Sequence, residues 1–127
     1  MNFDAAAPIA EDEPLARYLF SRHDFNASSG EVRWKAFEPR DRRTSSFRIR
    51  GLDEEGIWAL GRDAGRNRPM SLKGRAMVTA LDVHRVCLSV VQSPPARHAD
   101  IEGWPVDPIE IQAAAFLLAK RAVLVTC

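Results

Sequence analysis

The stretch "TSSFRIRGLDEEGIWALGRDAG", Thr44 to Gly65, sets a strand directly before a helix. From Thr44 to Arg50, Phe47 and Ile49 alternate with Ser46, Arg48 and Arg50, the period of two expected of a half-buried strand. Gly51 closes it. Asp53 then stands where an N-cap is needed, and Ile57, Leu60 and Ala64 recur at helical spacing beside Trp58. Acids in the first turn and Arg62 and Arg66 at the end complement the helix dipole, and Gly65 followed by Pro69 marks the stop.

Working outward, "EVRWKAF" (residues 31–37) also alternates and reads as a strand whose polar side is basic. "PLARYLFSR" suits a short helix or a strand. "LKGRAMVT" reads as a strand, Thr79 with Asp82 caps a short helix reaching Cys87, and Leu88 to Gln92 reads as a buried strand. In "VDPIE", Asp107 at N-cap, Pro108 at N1 and Glu110 at N3 predict a helix start. From Ile109 to Val125, 13 of 17 residues are apolar and cover most of the helix circumference, as in a helix central to a core or shared with a partner. The final "VLVTC" is an alternative strand. Strands and helices in irregular order predict an α+β domain over residues 14–127, a small mostly antiparallel sheet with two to four packed helices. Residues 1–13 read as a flexible arm.

At 127 residues and 46% hydrophobic content the chain fits one domain. The net charge is −3 over residues 1–29, +5 over 30–75 and −1 over 76–127, so the central block is basic. Fifteen of the whole chain's 18 cations are Arg, whose planar fork suits phosphate or carboxylate; a genome rich in G and C gives the same bias. Cys87 and Cys127 make no zinc spacing or disulfide framework, and no secretory signal is visible, so a cytoplasmic location is expected. Lys120 and Arg121 interrupt the longest apolar run and argue against a membrane span.

Two constellations carry chemistry. Arg33, Lys35, Arg48, Arg50, Lys73 and Arg75 interleave with Trp34, Phe37 and Phe47, as expected of a surface binding RNA or single-stranded DNA. The same aromatics serve equally as core. In "RHADIEGWP", His98 is cast as acid/base, Arg97 as an anion clamp and Asp100 as its orienter, for phosphodiester or phosphoryl chemistry. His98, Asp100 and Glu102 alternate and form a weaker metal-ligand reading, although the segment is expected to be a bent loop. A structural reading stands beside both: Arg97 pairs with Asp100 or Asp107, His98 bonds a backbone carbonyl, and Trp104 pins the loop. No cofactor motif is present, and a P-loop spacing is missing from "GRDAGRNRPMSLKGR".

The ordered set "KAFEP", "TSSFRI", "GLDEEGIWALG", "LKGRA" and "RHADIEGWP" resembles a family of small uncharacterised bacterial proteins, from about Leu15 to the last helix. The resemblance implies a bacterial single domain and brings no activity or ligand with it. The expectation is therefore a phosphate-binding protein, with an interaction subunit that associates through its last helix as the alternative.

Overall fold

β1 (Pro14–Leu19) is the strand around which the protein is built, because its side chains enter two cores. Leu15 and Leu19 point to one side, Ala16, Tyr18 and Phe20 to the other, and all are buried. The computed structural model describes residues 3–127. After β1 come a 3-10 turn (Arg22–Asp24), β2 (Phe25–Asn26), β3 (Glu31–Val32) and a second 3-10 turn (Trp34–Phe37). Then follow β4 (Thr44–Arg48), α1 (Glu54–Ala64), β5 (Gly74–Thr79), α2 (Ala80–Arg85) and β6 (Ser89–Gln92). β7 (His98–Glu102), α3 (Pro108–Arg121) and β8 (Val123–Thr126) complete the chain.

Six strands form one antiparallel sheet in the order β6-β7-β4-β1-β5-β8, while β2 and β3 pair separately. This is an α+β fold. One face of the sheet carries Leu15, Val78 and Ile101 against Val83 of α2, Phe37 of the second turn, and Ala115 and Leu118 of α3. The other carries Ala16 and Tyr18 against Ile57 of α1. The Tyr18 hydroxyl donates to the Ile57 carbonyl at 2.5 Å, and burial pushes its pKa up to about 12.

The helix starts follow the expected capping chemistry. Asp53 accepts from the Gly56 amide at 2.8 Å, Thr79 and Asp82 form a reciprocal capping box, and Asp107 accepts from Ile109 N ahead of Pro108. α3 ends at Arg121, and the tail is the edge strand β8.

Four local expectations are corrected. "EVRWKAF" is a strand for two residues only; Ala36 and Phe37 are consecutive and both fully buried, which a 3-10 turn allows and an alternating strand does not. "LSVVQ" is an exposed edge strand rather than a buried one, with Val91 43% exposed. "HADIE" is strand rather than bent loop, paired on both sides by β4 and β6. Arg48, expected on an outward basic face, is 2% exposed; its guanidinium meets the buried Glu13 carboxylate at 3.3 Å and donates to Gln92 Oε1 at 2.7 Å.

The segment before β1 lies on this pair. Arg48 donates to the carbonyls of Ala5 and Ala7, and Phe3 stacks under the guanidinium groups of Arg48 and Arg97. Ala80 N and Leu81 N donate to Glu13 O and Glu11 O.

Candidate functional site

β1 and β4 pair only at Leu15↔Arg48 and Ala16↔Phe47. Beyond that point Arg17 bridges them: its Nε donates to Ala36 O at 2.8 Å and its Nη1 to Ser45 O at 3.1 Å. Arg17 forms no salt bridge among the described residues. Burial, then the nearby charge of Arg68, pulls its pKa down to about 10, with Asp24 opposing; it is still cationic at neutral pH. A cation held in this way is stabilised by any anion that reaches it.

A pocket of about 600 Å³ opens beside Arg17. Lys35, Arg40, Arg43 and Arg68 join Arg17 in its walls, against Asp24, Glu38, Asp41 and Asp100. The rim is a two-residue hairpin in which Arg40 and Arg43 exchange backbone hydrogen bonds. Its tip residues Asp41 and Arg42 have φ of 49° and 67°, a left-handed conformation that glycine and asparagine usually supply. Asp tolerates it; Arg42 adopts it at a cost of about 1–3 kcal/mol.

Two further grooves follow in series, the first sharing Lys35 with this pocket and the second sharing Arg33 with the first. Arg33, Trp34 and Lys35 line a groove against α3, and Arg33 reappears with Arg22 and Lys73 in the groove beside β8. The cations Lys73, Arg22, Arg33, Lys35 and Arg17 thus lie along connected concavities, with the half-buried Trp34 ring in the middle one.

Of the six cations singled out in the sequence, Arg33, Lys35 and Lys73 fall on this track. The other three are elsewhere. Arg50 pairs with Asp12 at 2.9 Å near the N-terminal segment. Arg48 is occupied by Glu13. Arg75, 4% exposed, forms a two-pronged pair with Glu54 (2.7 and 3.0 Å) and lies over Trp58. That pairing, ahead of the opposing effect of burial, holds the Glu54 carboxyl below its ordinary pKa. The six cations therefore do not form a single sheet face, because a central strand turns every second side chain into a packed layer.

His98 and Asp100 are brought together on one face of β7, but Arg97 is not with them. Arg97 turns back to donate to Arg48 O and Arg50 O, both at 3.0 Å, and stacks on Phe3. It pairs with neither Asp100 nor Asp107. His98 is held by two hydroxyls instead of a carbonyl: Nε2 is 2.5 Å from Ser45 Oγ and Nδ1 is 2.7 Å from Ser93 Oγ. Asp100 Oδ1 lies 3.9 Å from Nε2, and Phe47 packs edge-on against the ring. Burial lowers the His98 pKa below its ordinary 6.5, with Asp100 opposing, so the imidazole is neutral near pH 7. Trp104 is buried, its Nε1 donating to Ile101 O. Among the described residues, no group of three His, Cys, Asp or Glu side chains is placed to hold a metal ion, and Glu102 does not join His98 and Asp100 in one.

Sequence reasoning missed Arg17, Ser45 and Ser93. Arg17 had a signal, a lone cation inside the apolar run "PLARYLF"; the serines had none. No protein family, curated protein or solved structure matches the chain.

Proposed function

We propose that the protein binds a phosphate-bearing ligand, RNA or single-stranded DNA, along the track from Lys73 through Arg33 and Lys35 to Arg17. The observation that supports this reading most is the continuity of the three grooves through the shared residues Arg33 and Lys35. Cations follow a phosphate backbone, and Trp34 offers a ring on which a base stacks, a contribution of about 1–3 kcal/mol per base. The pocket at the Arg17 end has the volume of a site for one small unit of ligand. Recognition by backbone charge and stacking requires no base-specific motif. Fluorescence anisotropy of a labelled oligo(dT) tests it: binding at low salt that weakens as salt rises supports the reading, while absent or salt-independent binding rejects it.

A second reading is self-association through α3. It is favoured by the outward side chains Ile109 (79% exposed), Phe116 (49%) and Leu117 (52%), an apolar stripe that a second copy of the chain covers across a two-fold axis. Leu118 of the same helix is fully buried and belongs to the core. Light scattering distinguishes the readings: a dimer converted to folded monomer by Phe116→Glu with Leu117→Glu favours self-association, and a monomeric wild type rejects it.

A further inference from the structure

We infer that Ser45 is the nucleophile and His98 the general base of a phosphodiester-cleaving site at the Arg17 end of the track. The inference rests on the phosphate-binding reading of that pocket. Three observations carry it.

The first is the pair itself. A serine hydroxyl is a weak nucleophile unless a base sits within hydrogen-bond reach, at most about 3.2 Å, and Ser45 Oγ is 2.5 Å from His98 Nε2. The second is the third group that orients the base. In the tautomer with its proton on Nδ1, His98 donates to Ser93 Oγ and leaves the Nε2 lone pair for the Ser45 proton. Ser93 is thus a positioning residue, and the Asp100 carboxylate 3.9 Å from Nε2 stabilises the imidazolium once it forms. The third is location. Ser45, Asp100, Arg17 and Arg43 line the same pocket, and Arg17 already contacts the Ser45 peptide. A phosphate drawn to the guanidinium groups is therefore delivered beside the hydroxyl, with cations on hand for the charge that develops on its oxygens.

In the first step Ser45 Oγ bonds to phosphorus as its proton passes to His98 Nε2. The bond from phosphorus to the leaving oxygen breaks, and that oxygen takes the proton from His98. In the second step His98 removes a proton from water, whose oxygen attacks phosphorus. The bond from phosphorus to Oγ breaks, and the proton returns to Ser45. No oxidant, reductant or further reactant is required.

The test uses the full chain with bis(p-nitrophenyl) phosphate, p-nitrophenyl acetate as the acyl control, and oligo(dT) binding measured in parallel. The expected result is p-nitrophenolate release from the phosphodiester, a p-nitrophenylphosphoryl adduct on Ser45 in the acid-quenched protein, and a fall of about a thousandfold or more in release for Ser45→Ala. Release that persists in folded Ser45→Ala, or an adduct on another residue, overturns the inference. If Ser45→Ala does not fold, the position of the adduct in the wild type decides. Reaction with the acetate alone overturns the phosphodiester assignment. Oligo(dT) binding without release overturns the inference and leaves the binding reading standing; loss of both overturns both.

Discussion

His98 Nε2 lies 2.5 Å from Ser45 Oγ, joining neighbouring strands β7 and β4 through a side-chain hydrogen bond. Phe47, Ser45 and Ser93 contact the ring, the Asp100 carboxylate lies 3.9 Å from Nε2, and Arg43 lies 4.0 Å from Asp100. Burial favours its neutral form.

A pH dependence follows. Because the folded pKa is below the ordinary 6.5, the unfolded chain binds more protons between the two values, and stability rises with pH across that window. The contribution is complete above about pH 6.5 and is lost as pH falls through the folded value. Urea midpoints measured between about pH 7.5 and 5 should fall more for the wild type than for His98→Gln. Equal losses would show that His98 is not held neutral.

The ion pair of Glu13 with Arg48 should matter far more than that of Asp12 with Arg50. Both Glu13 and Arg48 are buried, so Glu13→Ala leaves a buried cation unpaired and should cost about 3–5 kcal/mol. Asp12 and Arg50 are exposed, and Asp12→Ala should cost at most about 1 kcal/mol. Chemical denaturation of the two variants checks the contrast, and it would fail if both changed stability equally.

α1 approaches β1 through Gly61. A Cβ there would sit 2.5 Å from Tyr18 Cε1 and 2.9 Å from Leu72 Cδ2, and the hydroxyl bond to Ile57 O keeps the Tyr18 ring from retreating. Gly61→Ala should therefore destabilise the protein by about 1–3 kcal/mol despite alanine's better helix propensity. A raised denaturation midpoint would contradict this packing.

What could be read from the sequence was local. Asp53, Asp107 with Pro108, and Thr79 with Asp82 marked helix starts because capping joins near neighbours in the chain. Long-range pairing was out of reach. Nothing local shows that Pro14–Leu19 becomes the central strand, so "PLARYL" kept two readings and Arg17 was passed over. Arg48 looked outward because alternation fixes which residues share a face but not which face is covered. The site divided in the same way. His98 and Asp100 share a strand face at period two, as their spacing allows, whereas Ser45 reaches His98 only through the pairing of β4 with β7. Arg97 is next to His98 in sequence, and for that reason points elsewhere.

The basic track is tested most directly by the salt dependence of oligo(dT) binding in the wild type and in Arg33→Gln with Lys35→Gln, two exposed positions whose change should leave the fold intact. The logarithm of affinity should fall linearly with the logarithm of salt between about 50 and 200 mM, and the double variant should bind more weakly with a slope shallower by about 0.7 for each phosphate it no longer neutralises. The same affinity and slope in both proteins would place the ligand elsewhere and contradict the account.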